Sequence, residues 1–112
     1  MLYPFQDYKE QYGYINSLGE IIIQPCCSFA YEFSDGLAGG FFVQKTKSLF
    51  GKDKEKTEFV YFYTQGKIAI RNKSIQIGQS FFEGLAMIFI KEAKKWGFIN
   101  SSGEVVIKPQ FD

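Results

Sequence analysis

Short runs of aromatic and β-branched residues alternate with tight polar punctuation along this chain, and no long apolar period of 3.6 residues competes with them. Anchoring on glycine, the pattern occurs three times. Tyr12-Gly13-Tyr14-Ile15-Asn16 leads through two linking residues into Gly19-Glu20-Ile21-Ile22-Ile23; Phe59 to Tyr63 leads into Gly66 to Ile70; Trp96 to Asn100 leads into Gly103 to Ile107. Each is predicted to be an antiparallel hairpin closed by a four-residue turn whose last position, left-handed, costs glycine no Cβ strain. A second motif follows the first two hairpins: Phe33-Ser34-Asp35-Gly36-Leu37-Ala38 and Phe81-Phe82-Glu83-Gly84-Leu85-Ala86. The distance from hairpin glycine to motif glycine is 17 residues in the first copy and 18 in the second, so both motifs belong to one repeating unit.

Two strands per hairpin and one after each Gly-Leu-Ala give about eight short strands. Ile21 to Ile23, Phe41 to Val43, Met87 to Ile90 and Val105 to Ile107 are apolar at consecutive positions, so both faces of these strands need cover. The expected fold is all-β: tandem antiparallel β-hairpin or meander repeats stacked into one sandwich-like or solenoid-like domain over residues 1–112. The units run approximately 8–43, 59–91 and 94–112. Gly97, lacking a side chain, lets another backbone or ring approach its strand closely. Val60 stands at that position in the degraded middle copy, so packing there is expected to differ.

From Gly36 to the next hairpin glycine is 30 residues, but from Gly84 it is 19, so the first interval carries an insertion of eleven, placed within 44–58. That segment mixes Lys45, Lys47, Lys52, Lys54 and Lys56 with Asp53, Glu55 and Glu58. It reads as a protruding loop or a long hairpin tip. A phosphate-binding or acidic-partner patch is the functional alternative, weakened by the interleaved acids.

A length of 112 residues fits one domain, and the formal charge of +1 supplies no broad field for nucleic acid or anionic lipid. No basic start with an apolar stretch opens the chain and no apolar run approaches a spanning helix, so a soluble, cytoplasmic protein without membrane or nucleic-acid partners is expected. Cys26 and Cys27 are adjacent, a spacing that matches no zinc pattern and reads as two buried or idle thiols.

The segments "KKWGFINSSGEVVIKPQFD" and "FFEGLA" resemble the WG β-repeat family. Trp96-Gly97 matches its naming dipeptide, Pro109 with Phe111-Asp112 its Pro-x-aromatic-Asp, and Gly84-Leu85-Ala86 its later element. The first copy has Tyr12 for the tryptophan and the middle copy Phe59-Val60. The resemblance implies a bacterial β-repeat scaffold, found in tandem arrays, without a general enzymatic activity and used for interaction. The third unit stops after its hairpin; either Leu2 to Tyr8 completes it by pairing across the array, or its open edge takes a second copy or a partner by β-augmentation.

The chain has no histidine, which removes the usual near-neutral base, the standard activation of Ser or Cys and the commonest transition-metal ligand. No phosphate-binding loop is present, and Gly36 to Gly40 reads as the start of a strand. The carboxylate pairs Glu32 with Asp35, Glu20 with Glu104, and Asp35 with Glu83 fall at repeated turns, where an acid before glycine is more simply a turn former; Asn16 and Asn100 are expected to close their own turns. Neither cofactor nor metal is expected. Tyr12, Tyr14, Trp96 and Phe98, with Lys9, Lys94 and Lys95 nearby, form either a stacking platform or, preferred here, a repeating core. Tyr61 and Tyr63 in the divergent copy are the expected exposed exceptions.

These readings favour a non-enzymatic protein-interaction module, with Lys47, Lys52, Lys54, Tyr61 and Tyr63 as the candidate contact surface. A carbohydrate or cell-wall polymer module using exposed aromatics is the alternative, a glycosidase with two carboxylates the third reading, and homo-oligomerisation through open strand edges is compatible with all three.

Overall fold

The structure, a computed structural model, describes the backbone of residues 1–46, 51 and 54–112. The described residues are all-β, with ten strands among them: β1 (Tyr3–Gln6), β2 (Tyr12–Ile15), β3 (Ile21–Ala30), β4 (Leu37–Thr46), β5 (Lys54–Tyr63), β6 (Ile68–Arg71), β7 (Ile75–Gly78), β8 (Leu85–Ile90), β9 (Lys95–Asn100) and β10 (Val105–Phe111). They form two antiparallel sheets, one ordered β1-β2-β3-β4-β5-β6 and the other β10-β9-β8-β7. The three expected hairpins are β2–β3, β5–β6 and β9–β10.

Successive units join through one strand register used twice. Leu37 faces Tyr63, Gly40 faces Val60 and Phe41 faces Phe59 across β4 and β5. In the same repeat positions Leu85 faces Asn100, Ile88 faces Gly97 and Phe89 faces Trp96 across β8 and β9. Because strand register decides which side chains reach the core, repeating it repeats the core. One buried cluster contains Tyr14, Ile23, Cys27, Ala38 and Phe62, with Phe33 packed against it. The other contains Tyr61, Ile70, Ile75, Ala86, Ile99 and Phe81, their repeat equivalents one for one. This second cluster also lies between the sheets, taking Leu37 and Phe59 from one and Ile88 from the other.

The glycine in the first strand of each hairpin, Gly13 or Gly97, decides how the second strand runs. Across β2 and β3 the register passes from Tyr14 opposite Ile23 to Tyr12 opposite Cys27, so two residues face four. The same bulge lies between Phe98 opposite Ile107 and Trp96 opposite Phe111. At the centre of each bulge stands the glycine: a Cβ on Gly13 would come 2.3 Å from the Ile23 carbonyl oxygen and 2.9 Å from Pro25 N, and one on Gly97 would come 2.7 Å from the Ile107 oxygen and 3.0 Å from Pro109 N. The middle copy has Val60 for the glycine and Asn72 for the proline. Here Val60 pairs with Arg71 and Tyr61 with Ile70 without the bulge, and β6 ends. The Asn72 side chain accepts from Ser74 N at 2.9 Å and its carbonyl from Ile75 N at 3.0 Å, turning the chain out of the first sheet to begin the second as β7.

Thus β6 and β7 are the two halves of what is one strand, β3, in the first copy. The 18-residue interval from Gly66 to Gly84, one longer than its counterpart, contains this break. The expected count of eight strands therefore becomes ten among the described residues, through β7 and through β1. The expectation that Leu2 to Tyr8 completes the last unit is corrected: β1 pairs with β2, Tyr3 opposite Ile15 through Gln6 opposite Tyr12. Asp7 closes this local hairpin, its carboxylate accepting from Lys9 N and Gln11 N, and a short closure orders less chain than one across the array. Of the insertion, residues 44–46 and 54–58 extend β4 and β5 as a long antiparallel ladder reaching Thr46 opposite Lys54.

Gly13→Ala is expected to destabilise the fold by about 3 kcal/mol or more, because backbone must retreat from the new methyl. Gly19→Ala, strained in its left-handed turn but open around it, should cost only about 1 kcal/mol. Urea unfolding of the two variants, followed through Trp96 fluorescence, checks the order.

Candidate functional site

Tyr61, expected at the surface, is a core residue with 1% of its area exposed. Its hydroxyl donates to the Gln79 carbonyl at 2.6 Å, and its ring meets Phe81 edge to face at a centroid distance of 4.9 Å. The first unit holds the same arrangement: the Tyr14 hydroxyl donates to the Tyr31 carbonyl, and the Tyr14 ring meets Phe33 at 4.8 Å. Sequence divergence at Val60 obscured the equivalence, yet Tyr61 lies opposite Gly39 on the inward face of β5 and packs on the motif phenylalanine that arrives twenty residues later. Burial raises both phenols above the ordinary tyrosine range; Cys27 and Cys26 add to this at Tyr14, and Tyr31 at Tyr61. Cys27 is fully buried and Cys26 half-buried, their sulfurs 3.2 Å apart, and the contact with Cys26 together with burial pushes the Cys27 thiol up.

The repeated acids occupy turns. Asp35 and Gly36, like Glu83 and Gly84, both have positive φ between the bridging pairs Ser34–Leu37 and Phe82–Leu85, as a type I′ turn requires. The two turns touch: Gly84 N donates to the Asp35 carboxylate at 2.9 Å, and the Ser34 hydroxyl donates to the Phe81 carbonyl at 2.5 Å. Asn16 accepts from Leu18 N and Glu20 N, and Asn100 from Ser102 N and Glu104 N, all at 3.0 Å. Each asparagine closes its own turn. Among the described residues no cluster of three or more metal-ligating side chains occurs.

Two surface features remain as candidates for contact. The first is β10, at the edge of its sheet, with Val105, Val106 and Phe111 each close to half exposed. The second is a cleft of about 480 Å³ lined by Tyr31, Ile77, Gly78, Gln79, Ser80 and Trp96. Tyr31 follows β3 in the first sheet, the 77–80 segment ends β7, and Trp96 lies on β9, so all three units contribute to it. Trp96 is half-buried and held edge to face by Phe89 at 5.4 Å; Tyr12, its first-unit equivalent, is half-buried against Phe29 at 5.5 Å. Of the candidate contact residues, Lys47 and Lys52 lie outside the described residues, Lys54 opens β5 opposite Thr46, and Tyr63 ends β5 with 45% of its area exposed. Tyr63 does not line the cleft. The cleft escaped sequence reasoning, although aligning the two units sets Gln79 against Tyr31 and gives a signal for it.

The family model described as WG containing repeat matches residues 12–39 and 96–112, that is, most of the first unit and the third hairpin. No curated protein and no solved structure matches the chain. Among the described residues no helix is long and apolar enough to cross a membrane.

Tyr61→Phe is expected to cost about 1–2 kcal/mol by leaving the Gln79 carbonyl without its donor. The unfolded chain ionises its tyrosines near pH 10, whereas the folded chain holds these two protonated to higher pH. Unfolding there releases protons, so stability is fully present below about pH 10 and falls as pH rises above it. Denaturant midpoints from about pH 8 to about pH 11 should decline, and decline less steeply in Tyr61→Phe.

Proposed function

We propose that this chain, whose residues 12–39 and 96–112 match the WG containing repeat, is a non-enzymatic protein-interaction module that binds an extended segment of a partner. The observation that supports this most is β10, an edge strand whose Val105, Val106 and Phe111 stand half exposed on a sheet with free main-chain groups along one side. Such an edge offers main-chain pairing for affinity and apolar side chains for specificity. The absence of histidine from the sequence and the use of Asp7 and Asp35 in turns agree with a binding role. A carbohydrate-binding module is the second reading, supported by the ring-lined, uncharged cleft.

Affinity capture from the source cell with wild-type protein and with Val106→Lys tests the first reading. The exposed lysine should leave the fold intact, as circular dichroism and urea unfolding will report, and should remove a protein that the wild type retains. Capture of the same proteins by both forms, or of none by the wild type, contradicts a binding edge at β10.

A further inference from the structure

The two junctions between units share one backbone and differ in the rings they carry. At the first, Tyr31 lies 6.1 Å from Phe59 and 5.3 Å from Phe29 by ring centroids, and Phe59 is covered to 3% exposure. At the second, Trp96 stands in the place of Phe59, Gln79 in that of Tyr31 and Ile77 in that of Phe29. The backbone there is the same. Tyr31 N donates to the Gly39 carbonyl at 2.9 Å while the Tyr31 carbonyl accepts from Tyr14; Gln79 N donates to the Met87 carbonyl at 2.9 Å while the Gln79 carbonyl accepts from Tyr61. Residues 31 and 79 thus sit on equivalent, doubly pinned backbone beside equivalent rings. Where the first supplies a phenol, the second supplies an amide, and the cleft lies at that point.

The lining adds a second constraint. None of its six residues is charged, and among the described residues no hydrogen bond engages the Tyr31 hydroxyl, the Gln79 amide, the Ser80 hydroxyl or the Trp96 indole N–H. A neutral occupant is favoured, because a charged one would lose its hydration without a partner. The volume of about 480 Å³ falls in the range of roughly 300–1,000 Å³ typical of ligand sites, enough for a ring and the backbone that carries it.

We propose that this cleft receives a tyrosine or phenylalanine side chain of a partner protein, which takes against Trp96 the place that Tyr31 takes against Phe59. The proposal rests on the protein-interaction reading and names the side chain recognised. Aromatic pairs of this kind contribute beyond their burial, and tyrosine and tryptophan are the residues on which interface energy concentrates. The unengaged amide and hydroxyl groups would pair with the peptide backbone beside the ring. A saccharide ring meets the same polar groups, but the equivalent slot in this molecule is filled by a phenol, and that decides between them.

Trp96 is the only tryptophan, so its fluorescence reports the cleft directly. Wild-type protein is titrated with capped pentapeptides carrying a central Tyr, Phe or Ala, and with a neutral oligosaccharide. The expected result is a saturable shift of Trp96 emission with the Tyr and Phe peptides and none with the Ala peptide. Gln79→Tyr should fill the cleft from within: its emission is shifted to the blue before any addition, and its affinity for the aromatic peptides falls at least tenfold, while Gln79→Ala still responds. No response of the wild type to either aromatic peptide, a response to the oligosaccharide alone, or undiminished binding by Gln79→Tyr overturns the proposal. Cellular capture that depends on Val106 but is unchanged by Gln79→Tyr likewise overturns it, while leaving the interaction reading standing.

Discussion

Everything in this fold depends on one strand register, repeated at both junctions between units. The strand after each Gly-Leu-Ala must receive the next hairpin's first strand with leucine opposite the residue that opens the turn, Leu37 on Tyr63 and Leu85 on Asn100. A slip of one residue would turn every inward side chain outward. With the register kept, Ala38 and Ala86 are buried beside the rings, Tyr14 and Tyr61 reach equivalent carbonyls, and the two cores are the same constellation written in different residues.

Against this regularity, the middle unit shows what the Trp-Gly type of hairpin needs. A glycine in the first strand and a proline in the second allow two residues to lie opposite four, and the second strand continues as one piece over ten residues in β3. With Val60 and Asn72 that bulge is missing and the pairing is short, the strand breaks, and its second half begins another sheet. One pair of substitutions therefore accompanies the change from a single meander to two sheets. The same divergence places Gln79 where Tyr31 would be and opens the cleft beside Trp96, so the architectural irregularity and the strongest candidate site share an origin in the degraded copy.

The parts of the structure legible in the sequence are those fixed by local backbone conformation. The glycines at 19, 66 and 103 and the acid-glycine pairs at 35–36 and 83–84 specify left-handed positions that few residues adopt, and the structure places turns at each. What was not legible depends on contacts distant in sequence. Tyr61 looked like a candidate for exposure because its neighbour Val60 departs from the repeat, whereas Phe81 and the Gln79 carbonyl bury it. The strand β7 has no turn glycine before it, and Asn72 breaks the chain through its own side chain. The opening strand β1 carries no repeat motif, yet it occupies beside β2 the position that β4 occupies beside β5. The candidate cleft is a difference between two junctions, visible only once both are superposed unit on unit.

For function, this leaves a scaffold that holds an uncharged, ring-lined cleft and an apolar strand edge on a frame of repeated hydrogen bonds. The most direct test of the account is the pattern of inter-strand proton contacts by nuclear magnetic resonance. The same cross-strand contacts should appear at both junctions, linking Gly40 to Val60 and Ile88 to Gly97, together with Leu37 to Tyr63 and Leu85 to Asn100. A register displaced by one residue at either junction, or two junctions paired differently, would contradict the claim that one unit, joined in one way, builds the whole.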